Sequence, residues 1–166
     1  MKLKRLYLIS GVAGSGKSTY AKTKAETEGG VWISRDAIRF SLVPEGEDYF
    51  SREPEVFASF ISQIQEQIND PLGTDIYVDA THLTSKARAL VLNRLNLTPL
   101  DEVNSIYFDI PCEVAIARNE PRTGQAHVPP SVIRKMWDSL TPPENDEGFT
   151  HIIFIDEYGN EREVIN

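Results

Sequence analysis

Residues 11–18 read Gly-Val-Ala-Gly-Ser-Gly-Lys-Ser, which is the pattern G-x-x-x-x-G-K-S of a phosphate-binding loop. An apolar run at 6–9 precedes the loop and predicts a buried strand, and helix-compatible residues follow from Ser18 to Lys24. In this setting the glycines let the backbone wrap closely around an anion, so that successive N–H groups and a helix N-terminus point at phosphates. The chain is therefore expected to bind a nucleoside triphosphate.

The loop residues are expected to divide the work of holding ATP and Mg²⁺. Lys17 is expected to reach the β and γ phosphates, and the Ser18 hydroxyl to ligate Mg²⁺. The residues expected to bind the nucleotide here are Gly11, Val12, Ala13, Gly14, Ser15, Gly16, Lys17, Ser18 and Thr19.

Apolar runs and helical patterns alternate along the rest of the chain. Short, nearly all-apolar runs predict four further strands, at 31–33, 76–78, 106–108 and 152–155. Apolar residues recur at helical spacing in the segments 56–68, 87–95 and 132–140. The alternation favours an α/β fold, in which right-handed crossovers build a parallel sheet of five strands.

Composition limits the possible partners and locations. The 166-residue chain has a net charge of −8, so a nucleic-acid substrate is expected to be held at one end rather than along a basic groove. The lone cysteine, Cys112, favours a reducing, cytoplasmic setting. The apolar stretch near the N-terminus is too short for a signal peptide, and no apolar run reaches membrane-spanning length.

Asp36 and Arg39 follow the second predicted strand. Residues just beyond the carboxyl ends of parallel strands face the ligand crevice, so Asp36 is placed to accept a proton from an attacking hydroxyl. Arg39, one helical turn later, is placed to pair with an anion on the acceptor. The alternative for Asp36 is that it caps the helix that begins here.

Two further positions suggest chemistry beyond nucleotide binding. Asp79 ends the third strand and is expected to support either Mg²⁺ or the acceptor, an ordinary strand-end aspartate being the alternative. Arg118 and Arg122 lie at the entrance to a turn-rich segment, 121–130, that is typical of a phosphate lid. A lid arginine can neutralise charge during phosphoryl transfer, whereas the alternative is a solvated surface arginine.

These motifs together resemble those of the P-loop polynucleotide 5′-hydroxyl kinases and related small bacterial and phage kinases. The resemblance covers nearly the whole chain and is carried by residues 11–18, by Ser34-Arg35-Asp36 with Arg39, by Asp79-Ala80-Thr81, and by Arg118-Asn119 with Arg122. It implies a single kinase domain over residues 1–166, with a three-layer α/β/α architecture, strand order 2-3-1-4-5 and a helical lid at about 118–130.

The resemblance also implies roles for individual residues. Asp36 would be the general base, and Arg39 would contact the phosphate 3′ of the attacked nucleoside. Arg122, with Arg118, would contact the donor phosphates. Asp79 and Thr81 would help to form the acceptor site. His82 departs from the family pattern, because family members often have asparagine after the Asp-x-Thr step.

The implied activity is transfer of the γ-phosphate of ATP to the 5′-hydroxyl of a nucleic acid or nucleotide, with Lys17, Asp36 and Arg122 as catalytic residues. A kinase for a small metabolite or antibiotic is the main alternative, favoured by the acidic net charge. A regulatory NTPase without an acceptor is a third possibility, although the guanine-reading pattern N-K-x-D is absent. The acceptor and the oligomeric state are left open.

Overall fold

The computed structural model describes residues 2–164, which form a sheet with helices on both faces. The strands are β1 (Arg5–Ser10), β2 (Val31–Ser34), β3 (Ile76–Asp79), β4 (Glu102–Phe108), β5 (Ile152–Ile155) and β6 (Glu161–Glu163). The helices are α1 (Lys17–Glu28), α2 (Arg35–Leu42), α3 (Glu53–Asn69), α4 (Ser85–Leu92), α5 (Cys112–Asn119) and α6 (Pro130–Ser139). Single 3-10 turns lie at Gly124–Ala126 and Asn145–Glu147.

Alternate side chains of the sheet point into two separate apolar cores. Leu6 and Leu8 of β1 pack with one core cluster, which includes the apolar face of α3. Ile9 belongs to the other cluster, to which α1, α5 and α6 contribute Ala21, Ala115 and Ile133. Because successive strand residues face opposite sides of a sheet, this division produces the three-layer architecture that the resemblance to kinases implied.

The strand order is β2-β3-β1-β4-β5-β6, and β1 to β5 are parallel. The expected order 2-3-1-4-5 is confirmed, with the Asp79 strand directly beside the strand that leads into the phosphate-binding loop. The expected count of five strands was wrong by one, because β6 adds an antiparallel edge strand next to β5. Its sequence, Glu-Arg-Glu, has no apolar side chain to bury, so the pattern that revealed the other strands is missing there.

Two element boundaries differ from the predictions, one where polar residues extend a strand and one where a helix ends early. β4 begins at Glu102, before the predicted apolar run, and α4 ends at Leu92, before Leu95. Thr84 caps α4 as expected, since its side-chain oxygen accepts a hydrogen bond from the Ala87 N–H at 3.1 Å. Among residues 2–164, no helix combines the length and the apolar character that crossing a membrane requires.

A buried ion pair fastens the segment after β3 to the loop that precedes β5. Arg88 of α4 donates to both carboxylate oxygens of Glu147, at 2.7 and 3.2 Å. Its remaining terminal nitrogen donates to the carbonyls of His82 and Thr141 at 3.1 and 3.0 Å. Arg88 is completely buried, so its charge depends on these protein partners rather than on bulk solvent.

Glu147→Ala should therefore destabilise the fold strongly. Breaking a buried pair leaves an uncompensated charge, and the expected loss is about 3–5 kcal/mol in the free energy of unfolding. Glu113→Ala is the matched control, because its partner Arg134 is exposed and such pairs contribute about 0–1 kcal/mol. Urea denaturation of the two variants measures the difference, and equal losses would contradict a structural role for the buried pair.

Candidate active site

The phosphate-binding loop lies between β1 and α1 and is held in a glycine-dependent conformation. Gly14 and Gly16 have φ angles of 80° and 100°, which side chains rarely adopt. At Gly14 an added Cβ would lie 2.3 Å from the carbonyl oxygen of Ala115, so the loop packs directly against the α5 backbone. The two glycines thus allow the loop to turn into α1 while its backbone faces inward.

Polar groups inside the loop fit a phosphate ligand. Lys17 is buried, and its Nζ donates to the Val12 carbonyl at 2.9 Å. Burial lowers the pKa of Lys17, an effect that the nearby carboxylates of Asp79 and Asp36 oppose. The Ser15 hydroxyl is buried and has no hydrogen-bond partner among the described residues. A desolvated cation beside an unsatisfied hydroxyl matches the oxygens of a triphosphate.

Ser18 and Asp79 meet at the carboxyl edge of the sheet. The register pairs Asp79 with Ile9 on one side and with Ser34 on the other. The Ser18 hydroxyl donates to Asp79 Oδ2 at 2.7 Å, and the Trp32 indole N–H donates to the same oxygen at 3.0 Å. Because Ser18 is the expected Mg²⁺ ligand, this contact favours the support of Mg²⁺ by Asp79 over a contact with the acceptor.

The oxygen ligands of this pair fit Mg²⁺ held jointly with the nucleotide. In residues 2–164, no group of three or more His, Cys, Asp or Glu side chains is arranged to hold a metal. A hydroxyl beside a single carboxylate matches the usual binding of Mg²⁺, which keeps water and substrate phosphates and takes only one or two protein ligands. Ser18 and Asp79 are the residues that would hold it here.

Asp36 lies in the first turn of α2, immediately beyond β2. The cap of this helix is Ser34, whose Oγ accepts a hydrogen bond from the Ala37 N–H at 3.1 Å. The alternative role of Asp36 as the N-cap is therefore excluded by the structure. Its side chain is 65% exposed, and Oδ1 accepts a hydrogen bond from the Tyr49 hydroxyl at 2.8 Å and another from Arg39.

Arg39 is enclosed by its partners and is only 6% exposed. It pairs with Glu53 through two hydrogen bonds, one from Nε to Oε1 and one of 3.0 Å from Nη2 to Oε2. Its Nη1 donates to Asp36 and, at 3.2 Å, to the Tyr49 oxygen. Burial, the largest single effect, lowers the pKa of Arg39, but the hydrogen bonds to Glu53 and Tyr49 together with the Tyr49 and Asp36 charges outweigh it, so the pKa is raised overall. A phosphate could reach Nη1 only after Tyr49 moves aside.

The two lid arginines have different surroundings. Arg118 donates to the Ser15 carbonyl at 3.1 Å and to the Glu157 carbonyl at 2.6 Å, so it ties the phosphate-binding loop to the β5–β6 turn. It is therefore more than a solvated surface arginine. The Arg122 side chain is exposed and makes no hydrogen bond or ion pair with the described residues. Its charge nevertheless contributes to lowering the pKa of Lys17, which places it within electrostatic range of the loop.

The lid segment is closed at its base. The buried side chain of Asn119 donates to the Val128 carbonyl at 2.5 Å and accepts from the Val128 N–H at 3.0 Å. Between these two residues the chain has one 3-10 turn, Gly124–Ala126, rather than a longer helix. Arg122 thus extends from a loop whose two ends are held together.

Thr81 and His82 form hydrogen bonds with the backbone at the start of the phosphate-binding loop. The Thr81 carbonyl accepts a hydrogen bond from the Gly11 N–H at 3.0 Å, a backbone contact that places Thr81 at the start of the loop. His82 Nδ1 lies 2.6 Å from the Ile9 carbonyl, so this nitrogen carries the proton. Burial lowers the pKa of His82 to about 4, and the ring is neutral at pH 7.

The sequence did not single out Trp32, Tyr49 or Glu53 as site residues. Tyr49 lies in the turn-rich connection between α2 and α3, and Glu53 is one acidic residue among several at the start of α3. No local spacing indicates that either side chain reaches Arg39. Trp32 lies in a predicted strand, and no sequence pattern indicates that its indole N–H donates to Asp79 on the neighbouring strand.

Known proteins share this domain. A family model described as an AAA domain matches residues 6–143. The chain is 27% identical over 154 residues to transcription factor bHLH140 of Arabidopsis thaliana, covering 89% of this chain and 15% of that protein. It is 26% identical over 164 residues to a protein of Autographa californica nuclear polyhedrosis virus named for bifunctional polynucleotide kinase/RNA ligase activity, covering 90% and 22%. The chain spans less than a quarter of either relative.

Solved structures share the fold. A chain of the Pnkp1/Rnl/Hen1 RNA repair complex superposes with a TM-score of 0.70 at 24% identity, over 84% of this chain and 45% of that one. A gluconokinase from Sinorhizobium meliloti 1021 superposes with a TM-score of 0.61 at 18% identity, over 94% and 84%. Because the family model extends from β1 to the loop before β5 and the strand order agrees, the chain belongs to the AAA domain family and has a P-loop kinase-type α/β fold.

Proposed function

We propose that this domain transfers the γ-phosphate of ATP to the 5′-hydroxyl of a nucleic acid or nucleotide, with Asp36 as the general base. The observation that carries the proposal is the hydrogen bond of 2.8 Å from a hydroxyl, that of Tyr49, to Asp36 Oδ1. The carboxylate therefore has the exposure and the orientation to receive an alcohol. The similarity to the viral protein named for polynucleotide kinase activity supports the choice of acceptor.

The residues divide the reaction between them. Lys17, Ser15 and the backbone N–H groups of the loop bind the phosphates, and Ser18 with Asp79 would hold Mg²⁺. When bound, Mg²⁺ would neutralise charge on the phosphate oxygens. As the oxygen of the acceptor hydroxyl bonds to the γ phosphorus, Asp36 takes the hydroxyl proton. At the same time the bond between the γ phosphorus and the bridging β–γ oxygen breaks, which releases ADP. Arg122, carried on the lid, stabilises the charge that develops during transfer.

A kinase for a small metabolite or antibiotic is the second candidate. The net charge of −8 favours it, because such an acceptor needs no basic surface. The gluconokinase-like fold is compatible with the same choice. A regulatory NTPase without an acceptor is the third candidate, and no side-chain arrangement in the site favours it.

The proposal includes the setting of the domain. Residues 1–166 would act as one kinase domain, with a lid at about 118–130. The lone thiol of Cys112 supports a cytoplasmic location. The partners would be ATP and the acceptor.

Labelled ATP offered with a panel of acceptors tests the proposal. We expect transfer to oligonucleotides or nucleotides with a free 5′-hydroxyl, and none to sugars or aminoglycosides. Transfer to a sugar or an aminoglycoside alone would contradict the nucleic-acid acceptor and support the second candidate. ATP hydrolysis that no acceptor stimulates would support the third.

Lys17→Ala should lower turnover by about 10²–10³-fold, the range for removal of one preorganised donor to a developing charge. The thermal unfolding midpoint should change little, because burial already disfavours the charged lysine in the folded protein. Steady-state kinetics and a melting curve measure both quantities. Normal turnover with an unchanged midpoint would contradict the assignment of the phosphate-binding loop.

Arg39→Ala should change the preference among acceptors. A charge-assisted contact of Arg39 with a 3′-phosphate is expected to make a nucleoside 3′-monophosphate about 10–100-fold better than the plain nucleoside. The variant should lose this preference in the ratio of the two kcat/KM values, because the contacts of Arg39 with Asp36 and Glu53 affect both acceptors alike. Arg134→Ala, which removes an exposed arginine from α6, is the control. If wild-type protein uses both acceptors equally, Arg39 does not read a phosphate.

A further inference from the structure

Three aromatic side chains lie beside Asp36, and we name Phe40, Tyr49 and Phe50 the aromatic platform. The ring centroid of Tyr49 is 5.7 Å from that of Phe40 and 4.8 Å from that of Phe50. Phe40 is 45% exposed on α2, and Phe50 is 60% exposed on the connection to α3. These rings form an exposed apolar patch outside both core clusters, and exposed apolar patches are typical of binding sites.

The aromatic platform is continuous with the acceptor side of the site. The guanidinium of Arg39 lies over the rings of Tyr49 and Phe50, at 4.8 and 5.3 Å from their centroids. The hydroxyl of Tyr49 contacts Asp36 at 2.8 Å. When the hydroxyl of a ligand contacts Asp36, the rest of that ligand can therefore contact the exposed rings of the aromatic platform.

We propose that the aromatic platform stacks the nucleobase of the acceptor, next to the hydroxyl that Asp36 activates. This inference rests on the proposed function and adds that the protein binds the base of the acceptor as well as its hydroxyl and phosphate. Stacking on an aromatic side chain contributes about 1–3 kcal/mol per base and tolerates every base, since each has a π face. It also supplies affinity without positive charge, which suits a chain with a net charge of −8.

Tyr49 occupies the place of the acceptor hydroxyl until the acceptor binds. Its oxygen donates to Asp36 Oδ1 and accepts from Arg39 Nη1, which are the two contacts proposed for the acceptor. Burial and the Asp36 charge raise the pKa of Tyr49 to about 12, so at neutral pH it is a protonated hydroxyl like the alcohol it replaces. An incoming nucleotide displaces this hydroxyl, and the exposed rings of Phe40 and Phe50 meet its base.

The test compares acceptors with and without a base. A nucleoside 3′-monophosphate and its abasic counterpart, the sugar 3-phosphate with hydrogen in place of the base, share the hydroxyl and the phosphate. Wild-type protein should use the base-bearing acceptor about 5–150-fold better in kcat/KM, the ratio that corresponds to the stacking energy. Phe50→Ala should remove most of this difference by weakening only the base-bearing acceptor.

The control is Leu72→Ala, which also removes an exposed apolar side chain. Leu72 is 87% exposed in the turn between α3 and β3, at the amino end of the strands and away from the loop. This variant should retain the wild-type preference for the base. Quenching of a 2-aminopurine nucleoside 3′-monophosphate, measured without ATP, provides a second signal that should weaken in Phe50→Ala alone.

The outcomes separate this inference from the proposed function. Equal use of both acceptors by wild-type protein would overturn the stacking inference and leave phosphoryl transfer to a 5′-hydroxyl intact. An equal loss for both acceptors in Phe50→Ala would also overturn it, since the ring would then support the site rather than the base. Absence of transfer to either acceptor would contradict the proposed function, and the 2-aminopurine signal would still decide whether the aromatic platform binds a base.

Discussion

Arg122→Ala should lower kcat by about 10³–10⁵-fold, the range measured where an arginine neutralises the transferring phosphoryl group. The KM for ATP should change much less, because the interaction is made mainly in the transition state. The Arg122 side chain is exposed on the lid, and its charge acts on Lys17, so it lies within electrostatic range of the loop, as this prediction requires.

Single-turnover kinetics with saturating ATP measure the change for Arg122→Ala directly. The thermal midpoint should equal that of the wild type, because no structural contact is removed. Arg118→Ala is the informative comparison, since Arg118 holds the backbone of the phosphate-binding loop at Ser15 and its loss should raise the KM for ATP. Unchanged kinetics in Arg122→Ala would show that Arg122 is a solvated surface arginine with no role in phosphoryl transfer.

Asp36→Asn should lower the rate of transfer by about 10²–10⁴-fold, the usual contribution of a general base, and leave ATP affinity unchanged. An amide cannot take the hydroxyl proton, although its oxygen can still accept the hydrogen bond from Tyr49. The fold should tolerate the change, because Ser34 caps α2 and Glu53 holds Arg39 in place.

Ser34→Ala provides the matched control for Asp36→Asn. Loss of the cap is expected to lower the free energy of unfolding by about 1 kcal/mol while leaving the proton acceptor intact. The two variants should therefore show opposite patterns, one losing transfer and the other losing stability. If Asp36→Asn instead retains transfer and melts like Ser34→Ala, Asp36 supports the helix and is not the base.

The phosphate-binding loop and the central strands were predictable because their signals are contiguous. Gly14 and Gly16 allow the loop to turn into a helix at positive φ, and the apolar runs of β3 and β4 are buried on both faces of the sheet. The expected order of these strands came from the resemblance to kinases and is confirmed. β6 was not predictable, since an exposed edge strand needs no apolar residue.

The roles at the acceptor side depended on contacts between separate elements. From local spacing alone, Asp36 could have been a helix cap, and only the hydrogen bond from Ala37 to Ser34 excludes that role. Asp79 could have supported either Mg²⁺ or the acceptor, and the hydrogen bond from Ser18 of α1 favours the support of Mg²⁺. These distinctions require knowing which side chain occupies a given lone pair or N–H group, and a sequence pattern does not contain that information.

The chain's own residues were enough to determine a triphosphate-binding loop on a parallel α/β sheet, because each feature arises from neighbours in sequence. Only the tertiary structure decided the surroundings of Arg39, which packing of α2 against α3 encloses between Glu53 and Tyr49. It likewise decided that Phe40 and Phe50 stay at the surface beside Asp36 instead of entering a core. Local periodicity reports which residues prefer burial, whereas the packing of helices from distant segments determines which of them meet at a site.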